Sequence, residues 1–105
     1  MVDAPIPYAH CYMPGAHWCE IVDRRTGAKI TDVVEADALD GWVRRHVRDA
    51  AGHLERDGAA HKVELIELPI EIRLRPETPA SWSQEDVARV GAQWRANPTW
   101  GEQAG

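Results

Sequence analysis

A chain of 105 residues, 44% hydrophobic and 28% charged, carries enough apolar side chains for one small core and too many for a disordered segment. Its formal charge of −5 disfavours nucleic acid as the main partner, because phosphate binding rests on clustered Lys and Arg. Five Trp and no Phe make Trp the main source of large aromatic surface.

The opening run MVDAPIPYAH has no basic n-region and no apolar core, so no secretory leader is predicted. No apolar run approaches the roughly 18 residues of a membrane span. A reducing cytoplasm is therefore expected, with both cysteines as free thiols. Residues 1–16 contain Pro5, Pro7 and Pro14 and show no apolar period. Each Pro fixes its own φ and pushes the preceding residue toward extended geometry, which predicts an extended arm.

A domain of β character is predicted over residues 17–75. HWCEIVD and AKITDVVEAD read as two strands around RRTG, with Gly27 free to take a positive φ in the turn. The next stretch has two readings. As a helix over about 38–55, Leu39, Trp42, Val43, Val47, Ala50, Ala51 and Leu54 share one stripe. Gly41, Gly52 and Gly58 each cost that helix about 1 kcal/mol against Ala. As strands, GWVRRHVR leads through the turn DAAG into HLER and a second turn at DG. The basic run Arg44, Arg45, His46 and Arg48 is diluted by acidic neighbours and reads as a solvated face.

KVELIELPIEIRLR is the clearest strand. Val63 and Leu65 alternate in one phase, and Ile66, Leu68, Ile70, Ile72 and Leu74 in the other. The phase break predicts a bulge or bend at Leu65–Ile66, with Leu68, Ile70 and Ile72 buried and Glu67, Glu71 and Arg73 exposed. Pro69, lacking an N–H, suits an edge or a gap in the ladder. Residues 76–105 read as a linker, a helix at about 83–97 and a loose tail. Ser83 stands three residues before Asp86 in a capping-box-like start, and Val87, Val90 and Trp94 share a face.

HCYMPGAHWC places His10, Cys11, His17 and Cys19 within ten residues. Zinc takes Cys and His in tetrahedral sets. However, His10 and Cys11 are adjacent and hard to aim at one ion, and no C-x-x-C is present. A fourth ligand would have to come from His46, His53 or His61. The expectation is no metal, with Cys19 a small core residue; a Cys11–Cys19 disulfide and a zinc-stabilised binding module using Cys11, His17 and Cys19 are alternatives. Nucleophile elbow, P-loop and dinucleotide fingerprint are all absent, so no catalytic residue and no cofactor are expected. Trp82, Trp94 and Trp100 are the interface candidates.

Asp23, Thr26, Gly27 and Ile30, then Val34, Ala36, Asp37, Gly41 and Trp42, then Arg48, Asp49 and Gly52 form a pattern across residues 20–75. It resembles small proteins of tailed bacteriophages. The resemblance implies a β-rich protein without assigned catalytic residues and favours strands for the ambiguous middle. The expected fold is mainly β, a small antiparallel sheet or barrel, with an extended N-terminal arm and a C-terminal helix. The expected function is that of a non-enzymatic structural or accessory virion protein, a capsid decoration or head–tail component. It would contact other protein subunits in a larger assembly, in the virion or the bacterial host cytoplasm. Both chain ends, which lack an apolar period of their own, would contact other chains. The alternative is a small acidic phage-encoded inhibitor of a host or defence protein.

Overall fold

The computed structural model describes residues 5–96. Within them, chain order runs β1 (Tyr8–His10), a single 3-10 turn (Ala16–Trp18), β2 (Cys19–Asp23), β3 (Lys29–Ile30), β4 (Val33–Asp37), β5 (Trp42–His46), β6 (Arg56–Asp57), β7 (Ala60–His61), β8 (Val63–Glu67), β9 (Ile70–Leu74) and α1 (Gln84–Arg95). The fold is mainly β. Two antiparallel sheets, ordered β1-β4-β5-β8 and β3-β2-β9, share a core, and β6-β7 form a small separate ribbon. Neither sheet closes into a barrel.

The first hairpin forms where the sequence places it. Ile21 pairs with Ile30 and Val22 with Lys29. Gly27 takes φ 78°, and its N–H donates to the Asp23 carbonyl at 2.8 Å. The second run does not stay in one sheet. Asp32 takes a left-handed φ of 61°, which short polar side chains tolerate, and turns the chain from β3 into β4 of the other sheet.

The helix alternative over residues 38–55 is excluded by the same backbone argument. Gly41 and Gly52 sit at φ 77° and 85°, values that a right-handed helix does not contain. They mark turns instead. The Asp49 carboxylate accepts from the N–H groups of Ala51 and His53, closing the RDAAGH turn, and Gly58 at φ 68° closes RDGAAH between β6 and β7.

KVELIELPIEIRLR is two strands in two sheets. The bulge expected at Leu65–Ile66 is absent: β8 pairs with β5 in one register, from Trp42↔Glu67 to His46↔Val63. The bend comes at Leu68–Pro69, after which β9 pairs with β2 from Asp23↔Ile70 to Cys19↔Leu74. The phase break is resolved by facing Leu65 outward, while Ile66 lies opposite the fully buried Val43. The irregular register belongs to β4, between Val33 and Glu35. Ile70 and Ile72 are buried, Leu68 is half-buried, and Glu67, Glu71 and Arg73 are exposed, as the alternation predicts.

The N-terminal arm of residues 1–16 needs correction over its described part, which is extended but belongs to the domain. β1 pairs with β4 through Tyr8↔Asp37 and His10↔Glu35, and Ile6, Tyr8, Ala9 and Met13 are buried. A three-residue strand is too short for an apolar period to reveal. Helix α1 is capped by Ser83, whose side chain accepts from the Asp86 N–H, and runs from Gln84 to Arg95, ending two residues short of the expected limit. Its Val87 is fully buried, and its Gly91 lies so close to β1 that a Cβ there would stand 2.5 Å from the Tyr8 carbonyl oxygen. The helix thus covers the outer edge of β1. Residues 97–105, with Trp100, lie outside the described residues.

Candidate functional site

Two surface regions gather most of the residues singled out by the sequence. The first is a cleft of about 470 Å3 between the sheets, lined by Cys11, His17, Cys19, Lys29, Asp32 and Arg75 among others. Cys11 follows β1 and Cys19 opens β2; the 3-10 turn between them, entered through Gly15 at φ 83°, folds the two segments onto one wall. Three of the four expected ligand-type residues therefore share the cleft. They do not converge: among the described residues no three His, Cys, Asp or Glu side chains are placed to hold one metal ion.

Both thiols are free. Burial pushes the Cys19 thiol up to about 11 and also raises that of Cys11, so neither is an activated thiolate at neutral pH. Cys19 lies against the Gly15 carbonyl at 3.7 Å, as a small core residue would, and Cys11 has the ring of His10 beside it at 3.9 Å. The cations of the cleft are occupied. Lys29 and Arg73 both bind Glu20, at 3.3 and 3.0 Å, and Arg75 donates to the His17 carbonyl at 3.1 Å. Burial pulls the Glu20 carboxyl upward, but these bonds outweigh it and hold the carboxyl below the usual range.

The second region is the face of the larger sheet turned away from the core. Tyr8 donates to Glu35, whose other oxygen accepts from Arg44 at 2.7 Å. Burial and the bond to Glu35 push the Tyr8 phenol upward. His10 stands between Tyr12 and Trp94, with ring centroids 5.5 and 5.4 Å away. Burial lowers the affinity of His10 for a second proton. Asp37 is buried, accepts from the N–H groups of Leu39 and Asp40, and binds Arg95 at 2.9 Å, which ties α1 to the β4–β5 turn.

The arginines of the basic run are likewise paired, whereas the buried His46 Nδ1 has no hydrogen-bond partner among the described residues. Arg44 binds Glu35, Arg45 binds Glu64 at 3.0 Å, and Arg48 grips Asp32 through two bonds of 2.7 and 2.8 Å. The Arg48 guanidinium holds the Asp32 carboxyl below the usual range. Among the interface candidates, Trp82 and Trp94 are half-buried and pack against the core. Trp82 meets Gly15, where a Cβ would stand 3.1 Å from its ring.

The large apolar residues held furthest into solvent were not singled out as contact residues. Tyr12, Leu39 and Leu65 are 73%, 64% and 60% exposed. For Leu65 a signal existed: two adjacent apolar residues in an alternating strand cannot both face the core. Among the described residues no helix is long and apolar enough to cross a membrane. Neither a scan against protein-family models nor searches of curated proteins and of solved structures returned a match.

Proposed function

We propose that this chain works through protein–protein contacts, as a non-enzymatic structural or accessory component of a bacteriophage particle, such as a capsid decoration or head–tail protein. The observation that carries the reading is the outward placement of Tyr12, Leu39 and Leu65, the large apolar side chains most exposed among the described residues. Each such side chain gains free energy in proportion to the apolar area that a second chain would remove from water. The chemistry of the cleft is consistent with the same reading, because burial raises both thiols and Lys29 and Arg75 are bound within the chain.

The inhibitor alternative requires an acidic face. Glu35, Glu64, Asp32, Glu20 and Asp37 each have an Arg or Lys partner instead, so these five carboxylates do not supply an unneutralised face. The zinc-module alternative lacks a convergent ligand set.

The test is co-sedimentation with purified particles. The wild-type chain should be incorporated, whereas a triple variant Tyr12→Ser, Leu39→Ser, Leu65→Ser should melt at the same temperature and stay in the supernatant. Absence of the wild-type chain from particles, with the folded protein present in the lysate, would refute the reading.

A further inference from the structure

Sheet edges expose unpaired backbone groups, and natural proteins usually cover, shorten or charge them. The two sheets here have four edges. β1 is covered by α1, which approaches as closely as Gly91 allows. β3 has two residues. β9 is also five residues long; it faces residues 5–7 and Gln84 across a groove they line together, and its Ile70 and Ile72 are buried. That leaves β8, five residues long, to whose outer side no described strand is hydrogen-bonded.

The direction of its backbone groups follows from two bonds flanking the strand. Leu68 N–H donates to the Gly41 carbonyl, and the Lys62 carbonyl accepts from Val47 N–H. Backbone groups alternate along a strand, so those of Glu64 and Ile66 face β5 and those of Val63, Leu65 and Glu67 face away. The central outward residue is Leu65. Its side chain is one of the most exposed large apolar groups among the described residues, and the strand contains no Pro and no Lys, its charges being Glu64 and Glu67.

We infer that β8 pairs antiparallel with β8 of a second copy of this chain, about a two-fold axis at Leu65. This register engages all five residues of each strand and sets Leu65 against Leu65 of the second copy. Glu67 then lies opposite Val63 and Glu64 opposite Ile66, so no carboxylate faces a carboxylate directly. An axis at residue 64 would set Glu64 against its own copy, and one at residue 66 would leave part of each strand unpaired. The pairing joins the two larger sheets into one continuous sheet, an isologous contact of the kind common in homodimers. It does not depend on the assembly reading, because the isolated protein reports it.

The experiment is sedimentation equilibrium of the full chain from micromolar to millimolar concentration, with two variants. In Leu65→Pro the lost N–H faces away from β5, so the ladder with β5 keeps its bonds. Leu65→Lys places a charge on the axis. The wild type should dimerise, and both variants should dissociate at least about tenfold more readily, which is about 1.4 kcal/mol, with melting of the monomer unchanged. If Leu65→Pro fails to fold, Leu65→Lys carries the comparison. In a Cys11→Ser background, mild oxidation should link Leu65→Cys chains into dimers and leave Glu67→Cys chains unlinked. A wild type that stays monomeric throughout, as it would if residues 97–105 of the same chain covered β8, overturns the inference. So does a dimer that survives in folded Leu65→Lys, or faster linking at residue 67 than at residue 65.

Discussion

β8 and β9 are neighbours in sequence, equal in length and similar in composition, yet they end in opposite situations. In β9, Ile70 and Ile72 are 2% and 3% exposed, packed in the shared core. In β8, Leu65 is open to solvent and Ile66 is half-buried. Alternation decides which side chains share a face. It does not decide what covers that face. β9 pairs with β2 and presents its apolar row to the opposite sheet and α1, whereas β8 hangs on the far edge of the larger sheet. Leu68–Pro69 is the pivot. Leu68 N–H still bonds to Gly41, whereas the Pro69 carbonyl already accepts from Arg24 at 3.0 Å.

The comparison breaks first under truncation. Ile70→Ala should cost about 2–5 kcal/mol in chemical denaturation, as a fully buried aliphatic truncation does. Leu65→Ala should cost less than about 0.5 kcal/mol in the monomer. Similar losses at the two sites would mean that β8 and β9 are covered alike.

A smaller effect is expected on the covered edge. Gly91→Ala inserts a methyl group 2.5 Å from the Tyr8 carbonyl oxygen, on the outer side of a strand whose flanking residues are bonded to β4. It should destabilise by about 1–3 kcal/mol, in the range for overpacking, despite the better helix propensity of Ala. A stabilised Gly91→Ala protein would show that α1 does not rest on β1 and that the larger sheet has two open edges.

The ion pairs add a gentler dependence on pH. Asp32, held low by Arg48, and Glu20, held low by Lys29 and Arg73 against its burial, have native values below their unfolded ones. Their contribution is present above the ordinary carboxylate range near pH 4 and is lost as pH falls through the lowered native values. Unfolding free energy should fall gently as pH drops below about 6.5, where burial keeps native His10 from taking a proton that the unfolded chain takes, and more steeply below about 4 as the paired carboxylates protonate. Glu20→Gln should remove part of that decline; an unchanged profile would show that the pairs across β2, β3 and β9 are not formed in solution.

Much of this fold was legible in the sequence because turns carry their own chemistry. Gly27, Gly52 and Gly58, with Asp23 and Asp49 beside the first two, marked turns that the structure contains. The capped helix and the buried phase of Ile70 and Ile72 were equally visible. What was hidden is tertiary. The left-handed Asp32 and the pivot at Pro69 each move the chain between sheets, and no local pattern states which sheet a strand will join. β1 was hidden because three residues between prolines show no period. Of the candidate site, the clustering of Cys11, His17 and Cys19 in one cleft followed from their spacing, whereas the ties Tyr8–Glu35–Arg44 and Asp37–Arg95 depend on long-range pairing.

The separation of β8 from β9 can be read directly by residue-resolved amide hydrogen exchange in dilute, monomeric protein. Slow exchange is expected at the even positions Glu64, Ile66 and Leu68, whose N–H groups face β5, with fast exchange at Leu65 and Glu67. Beyond the pivot the pattern should invert, with slow exchange at the odd positions Glu71, Arg73 and Arg75, whose N–H groups face β2. A single unbroken parity from residue 63 to residue 75 would mean one continuous strand in one sheet, and would contradict the change of sheet on which the free edge of β8 depends.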